Sequence, residues 1–325
     1  MMRIILTGVA GGVLSGVLGL ILLPILRALK AGQSVHKIGP TWHNVKAGTP
    51  LMGGLMFIGA AVICLLVNLI TVQDYKVYLV LGLSLLFGLV GFLDDFFKVK
   101  FKRDLGLTAM QKMLLQMAVS AIYLYILYKM GVQLTALYIP FVNTFVHIPL
   151  PIYILFAMFV MVGTVNAVNI TDGVDGLCAT VTLPVMVFFA AAAIATKQFD
   201  LALFPAALVG ALIAYLFYNW HPAKVFMGDT GSLFLGGAVC ALAFALNMPL
   251  ILLLVGFVYL VEVVSDLIQF AYFRATHGKR FFKMAPIHHH FEKCGWKETK
   301  IVVVFSGVSA VMCLLAWLAV SGLVK

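Results

Sequence analysis

Residues 81–98 read LGLSLLFGLVGFLDDFFK, an apolar run that closes on two adjacent carboxylates, Asp94 and Asp95, followed by Lys98. A run of this kind makes most of a membrane-spanning helix, which needs about 20 apolar residues. An acid left unpaired in lipid costs on the order of 3 kcal/mol. Carboxylates where such a helix meets water therefore need a cationic partner: a divalent metal ion, a lysine or a proton in transit. Neighbouring helical residues point about 100° apart, so Asp94 and Asp95 should have different roles. Lys98, at i+4 from Asp94, is placed to pair with it. On that pairing alone the acids also read as an interfacial cap.

The chain around this run repeats the pattern. Its 325 residues are 63% hydrophobic and 10% charged, with a mean hydropathy of +1.09. That excludes a soluble domain and predicts an all-α polytopic membrane protein forming one domain over 1–325. About ten transmembrane helices are expected, at 4–27, 51–71, 77–97, 110–130, 150–169, 177–196, 200–218, 231–247, 249–272 and 300–323. The first is too long, and too poor in preceding positive charge, for a cleaved signal peptide. Lysine and arginine fall unevenly between the segments. Seventeen of the 22 lie on one side, against Arg3, Lys76, Lys129, Lys197 and Lys325 on the other. By the positive-inside rule the basic side is cytoplasmic and both termini lie outside.

Only Asp74 and Asp200 of the 12 acids fall in outer loops, so a polar active site is expected at the cytoplasmic face. The net charge of +10, gathered there, suits a polyanionic substrate or anionic lipid headgroups. No nucleic-acid partner is expected. Residues 131–149, with β-branched and aromatic residues around Pro140 and Asn143, predict a small outer hairpin. The five cysteines match neither a zinc site nor a disulfide framework.

Three further stretches carry polar chemistry. Asn169, Asp172 and Asp175 lie in VNITDGVDG (168–176), between the fifth and sixth segments and far from any lysine or arginine. They offer donors and acceptors to a nucleobase or sugar. The Asn169-Ile170-Thr171 sequon is meaningless on a cytoplasmic face. NWHPAKVFMGDTGS (219–232) leads into the eighth segment. Its glycines allow close backbone approach, and Thr230 or Ser232 is placed to cap a helix whose N–H groups form an anion site. Asp229 there sits well beside phosphate only with a metal between them, for which Mg²⁺ is suited. Read alone, Asp229 is merely a first-turn residue favoured by the helix dipole. APIHHHFE (285–292) holds three consecutive histidines; these do not converge readily on one tetrahedral ion, and donation to phosphate oxygens suits them better. Glu262 and Asp266, with Gln269 nearby, share one face of the ninth segment and read as structural or pocket-lining. Together the clusters suit metal-assisted phosphoryl transfer.

GFLDDFFK, NAVNITDGVDGL, NWHPAKVFMGDTGSL and APIHHHFE occur in this order over ten segments. The set resembles the bacterial phospho-N-acetylmuramoyl-pentapeptide transferases, within the superfamily of polyprenyl-phosphate sugar-1-phosphate transferases. The likeness runs from about KAGTPLMGG (46–54) to Glu292, and PIHHHFE favours the muramoyl-pentapeptide branch. The resemblance implies transfer of phospho-MurNAc-pentapeptide from UDP-MurNAc-pentapeptide to undecaprenyl phosphate. The products are lipid I and UMP, the cofactor Mg²⁺, and the place the bacterial cytoplasmic membrane, in a homodimer. Carried over by motif, Asp94 would take the proton from the lipid phosphate or otherwise activate it. Asp229 would be the magnesium ligand, with Asp95 and His288 as further catalytic residues. Asn169, Asp172, Gly173, Asp175 and Phe226 would form the nucleoside pocket, the uracil stacking on Phe226. Lys46, Asn219, Gln269 and His289 would line the rest of the cleft.

Two positions depart from the family pattern: Leu51 where Thr is frequent, and Met110 where a basic residue is common. A sister transferase using UDP-GlcNAc, or a transporter with proton-relaying carboxylates, are the rival readings. Direct attack by the lipid phosphate and a two-step route through an enzyme-bound phospho-sugar both fit the motifs.

Overall fold

The computed structural model describes residues 1–29, 48–68, 71–101, 105–132 and 134–322; Lys46 lies outside them. In chain order the elements begin with α1 (Met2–Ala28), α2 (Leu55–Val67), α3 (Lys76–Phe101) and α4 (Ala109–Lys129). A hairpin of β1 (Ala136–Ile139) and β2 (Thr144–His147) follows, then α5 (Leu150–Thr171), α6 (Leu177–Ala195), α7 (Leu203–Asn219) and α8 (Gly228–Ala245). A 3₁₀ turn at Pro249–Ile251 leads into α9 (Leu252–Val255), α10 (Phe257–Ala275), α11 (Ile287–Lys293) and α12 (Glu298–Ala319). Among the described residues, seven helices are long and apolar enough to cross a membrane, and eight if the bent pair α9–α10 counts as one span. Two more expected segments form shorter apolar helices, α2 and α7. The chain is a multi-pass membrane protein.

Local chemistry sets the helix ends. Thr108 and Gln111 close a capping box at the start of α4, and Pro151 sits in the first turn of α5, where its missing N–H costs nothing. Hydroxyls inside the apolar helices are satisfied locally: Ser84, Ser120, Thr171 and Thr182 each donate to the carbonyl four residues back. In lipid no water would do this for them. Outer faces are apolar and exposed, as Val9, Val13 and Leu20 of α1 illustrate.

Helix α8 is the most enclosed span. It packs against α3, the largest helix–helix interface, and against α5. Gly91 makes the approach of α3 possible: a Cβ there would fall 2.0 Å from the Asp229 carbonyl oxygen. Helix α1 lies along α7 through small residues, Gly8, Gly11 and Gly12 meeting Ala206, Ala207 and Gly210, as lipid-embedded helices commonly do. The ninth expected segment is not straight. α9 and α10 meet at 81°, and the break falls at Gly256, a residue that tolerates kinks.

The expected hairpin is present and antiparallel, Ala136 opposite His147 and Ile139 opposite Thr144. It joins the end of α4 to the start of α5. The two ends of the bundle differ in chemistry. At one, Asp200 accepts from Arg3 and from the backbone of Gln73 and Asp74, while Lys76 donates to Gln198. At the other gather the carboxylates and lysines described next.

Candidate active site

Three carboxylates from two helices meet where α3 crosses the start of α8. Asp94 and Asp95, near the end of α3, are buried. Asp229 lies in the first turn of α8. The different roles expected for the adjacent pair are visible in their partners. Asp95 Oδ2 accepts from the Thr230 backbone N–H at 2.9 Å and its hydroxyl at 2.7 Å. It thereby supplies, from a neighbouring helix, the acceptor that the open N-terminus of α8 needs. Asp94 Oδ1 accepts from the Leu107 N–H at 2.8 Å, and its Oδ2 pairs with Lys98 at 2.5 Å. The i+4 pairing is therefore present, but Lys98 is shared. Its Nζ also lies 2.8 Å from Asp229 Oδ2, and Lys112 Nζ approaches that same oxygen to 2.7 Å. Asn169 Nδ2 donates to the other oxygen of Asp229 at 2.7 Å.

Close approach rests on Gly228, at φ +72, where a Cβ would come within 2.5 Å of Asp95 Oδ2. The expected capping by Thr230 or Ser232 does not occur. Helix α8 starts at Gly228 with Met227 as its cap, so both hydroxyls fall inside the helix. They turn to other partners: Thr230 to Asp95, and Ser232 to the Gly228 carbonyl and to Asn169.

Mg²⁺ takes oxygen ligands, one or two carboxylates among them. Asp94, Asp95 and Asp229 each turn a carboxylate oxygen to within 4.8 Å of the others. Lys98 Nζ lies 2.5 Å from Asp94 Oδ2 and 3.7 Å from Asp95 Oδ1, and among the described residues three carboxylates face two ammonium groups, those of Lys98 and Lys112. The donor set fits such an ion.

The histidines diverge, as consecutive residues should. His288 is buried and its Nδ1 meets Glu262 Oε2 of α10 at 2.9 Å. Its Nε2 is buried, has no hydrogen-bond partner among the described residues, and packs against Gly173, where a Cβ would fall 2.3 Å away. His289 Nδ1 pairs with Glu292 at 2.5 Å, and His290 Nδ1 accepts from the Lys283 N–H. Beyond Gly173, Asp175 Oδ2 meets His221 Nδ1 at 3.0 Å and the Ala223 N–H at 3.1 Å. Glu298, at the start of α12, completes that group, its Oε2 lying 3.5 Å from His221 Nδ1.

The remaining expected residues sit around these centres. Asn219 is buried and bridges two loops, accepting from the Gly176 N–H and donating to the Val225 carbonyl. Phe226 is half-buried, and its backbone pairs with Pro50 and Gly53. Gln269 accepts from the Phe281 and Phe282 N–H groups, anchoring the segment after α10. Asp172 lies just past the end of α5. Leu51, the first departure from the family pattern, is buried in the apolar core beside this backbone pairing, and Met110 is exposed at the start of α4.

Lys112 and the Glu262–His288 pairing escaped the reading of the sequence. A signal for Lys112 was present: Lys112, Gln116 and Ser120 form an i, i+4, i+8 polar stripe on an otherwise apolar helix, where polar groups mark function. Gln116 exchanges hydrogen bonds with Asn166 of α5, at 2.6 and 3.3 Å. Lys112 and Asn169, one turn nearer the carboxylates on the same helices, are thus aimed together at Asp229.

The model of glycosyl transferase family 4 matches residues 77–247. Phospho-N-acetylmuramoyl-pentapeptide-transferase of Clostridium acetobutylicum is 45% identical over 302 residues, 93% of this chain and 94% of its own. The same-named protein of Clostridium perfringens is 46% identical over 97% of this chain and 98% of its own. That of Carboxydothermus hydrogenoformans is 48% identical over 92% and 93%.

Proposed function

The chain belongs to glycosyl transferase family 4 and, within it, to the phospho-N-acetylmuramoyl-pentapeptide transferases, and from that premise we propose the reaction and its residues. The enzyme transfers phospho-MurNAc-pentapeptide from UDP-MurNAc-pentapeptide to undecaprenyl phosphate in the bacterial cytoplasmic membrane, as a homodimer, with Mg²⁺. An oxygen of the lipid phosphate attacks the phosphorus next to the sugar. The bond from that phosphorus to the bridging oxygen breaks, UMP leaves with the electron pair, and lipid I remains.

The observation that supports this most is the convergence of Asp94, Asp95 and Asp229 with Lys98 and Lys112 at one end of the helices. A lipid phosphate meets such a site at the headgroup plane, and a water-soluble donor reaches it from the cytoplasm. Asp94, whose Oδ2 is ion-paired with Lys98, takes the proton of the lipid phosphate or otherwise activates it. Asp95 is fixed by Thr230 and holds the start of α8 against α3. Asp229 would be the principal ligand of Mg²⁺, with Asp94 and Asp95 beside it; when bound, the ion neutralises the donor's phosphates. Lys98 and Lys112 stabilise the charge that builds on the phosphoryl oxygens. His288, oriented by Glu262, turns Nε2 to the loop of Asn169, Asp172, Gly173 and Asp175, which with Phe226 receives the nucleoside. Asn219, Gln269 and His289 brace the loops around it, and Lys46 is assigned here by motif alone.

The test is UMP release by purified protein with undecaprenyl phosphate, Mg²⁺ and either UDP-MurNAc-pentapeptide or UDP-GlcNAc. Release with the muramoyl donor alone supports the assignment. Release only with UDP-GlcNAc moves the protein to a sister branch, and release with neither, from folded protein, returns transport to the front.

A further inference from the structure

The β1–β2 hairpin carries an exposed apolar tip that plays no part in the chemistry above. Helix α4 starts beside Asp229, with Lys112, and α5 ends there, with Asn169. The hairpin that joins them therefore lies at their far ends, remote from the carboxylates. In its turn Phe141 is 62% and Val142 67% exposed, and Phe145 and Val146 are exposed in β2. We propose that this tip sits in the lipid of the leaflet remote from the carboxylates, where headgroups meet acyl chains. It anchors there the far ends of α4, α5 and α12.

The position of the turn argues for lipid. The Phe141 N–H donates to the Ala319 carbonyl at 2.9 Å, and the Gly322 N–H to Asn143 Oδ1 at 3.1 Å. Ala319 is the last residue of α12, so the turn lies level with the point where that span ends. Helix α4, whose end feeds the hairpin, closes on Tyr125, Tyr128 and Lys129. Lys129 Nζ lies 5.6 Å from the centre of the Tyr125 ring. Tyrosine and a snorkelling lysine are the residues of a membrane–water boundary.

The turn is also held in place. Phe141 has φ +67 and Asn143 φ +55. A bulky side chain rarely takes this left-handed conformation, and it persists where the surroundings over-determine the backbone. The two bonds to the end of α12 do so, and they hold the Phe141 ring outward.

Composition separates lipid from water and from a protein partner. Residues 131–149 hold no Asp, Glu, Lys or Arg, whereas other segments at this end carry Asp74, Lys76, Lys197 and Asp200. Phe145 and Val146 are neighbours on a strand and point to opposite faces of the ribbon, yet both are exposed. An antiparallel ribbon in water keeps its solvated face polar; one lying in an apolar boundary has no such need. Four partly exposed side chains also fall short of the roughly 800 Å² a side that a stable protein contact buries.

Spin labelling of the full chain in liposomes tests this. Cys294→Ser removes the exposed thiol and leaves the four buried cysteines in place. In that background Phe141→Cys and Val142→Cys each carry a nitroxide. Val9→Cys, on the exposed apolar face of α1, and Gln73→Cys, exposed in a charged segment, serve as references. Power saturation is read with oxygen, which partitions into lipid, and with a water-soluble nickel chelate. The labels at Phe141 and Val142 should favour oxygen as Val9 does, at a depth of about 5–10 Å into the boundary. Preference for the nickel chelate, as at Gln73, overturns the inference. Weak collision with both reagents overturns it too, and dipolar broadening that unlabelled protein dilutes away then identifies a second copy as the cover. A Tm near that of wild type shows that each labelled protein is folded. If Phe141→Cys alone fails that check, Val142→Cys decides between the same outcomes.

Discussion

Glu262 and His288 are both buried, and among the described residues only one nitrogen of the imidazole is engaged. A carboxylate bonded to Nδ1 fixes the ring and leaves Nε2 to face the loop at Gly173. Glu262→Gln keeps the shape and removes the charge. It should lower kcat about 10- to 100-fold, the scale seen when an orienting partner of a functional histidine is lost. KM should change little, and the effect should vanish in a His288→Ala background, which steady-state kinetics of the four proteins would show. A decrease that persists without His288 would make Glu262 merely structural. At this scale the sequence shows residue types and not partners. Glu262 stands 26 positions from His288 and on a different helix, so its surroundings read as pocket-lining and no more. Asp94 with Lys98 was legible because both lie on one helical face; the sharing of Lys98 with Asp229 was not, since it spans 131 positions.

Among the elements, α4 and α5 are held in register near the site by the Gln116–Asn166 exchange. Gln116→Leu strands the Asn166 carbonyl oxygen and should cost about 1–3 kcal/mol, read as a lower Tm in detergent. UMP release should fall further than that loss alone would cause, because Lys112 and Asn169 lose their common aim at Asp229. The double exchange Gln116→Asn with Asn166→Gln preserves the amide pair and should recover most of the activity. Failure to recover, with Tm restored, would detach the pair from the site. Most helices were readable from apolar runs alone, and the hairpin from its β-branched and aromatic residues around Pro140 and Asn143. The bend between α9 and α10 was not, because hydropathy is continuous through Gly256 and only packing reveals the turn.

Across the whole molecule, Arg3, Lys76 and Asp200 gather at one end and Asp94, Asp95, Lys98, Lys112 and Asp229 at the other. This separation matches the division read from loop charges, because a lysine between two spans has only one end of the bundle to occupy. Which end faces the cytoplasm is testable with a native residue: Cys294 is exposed, whereas Cys64, Cys178, Cys240 and Cys313 are buried. A membrane-impermeant maleimide should label the protein in inside-out vesicles and spare it in right-side-out ones, and Cys294→Ser should abolish the signal. Labelling of the opposite vesicles would invert the topology. The carboxylate cluster is the centre of the proposed chemistry. Its decisive measurement is Mg²⁺-dependent UMP release from UDP-MurNAc-pentapeptide and undecaprenyl phosphate by wild type and Asp229→Ala, with Tm recorded for both. Release should be abolished by EDTA and restored by Mg²⁺, and should fall at least about a hundredfold in the variant at a Tm near that of wild type. Wild-type rates from folded Asp229→Ala, or release indifferent to EDTA, would contradict the proposed chemistry.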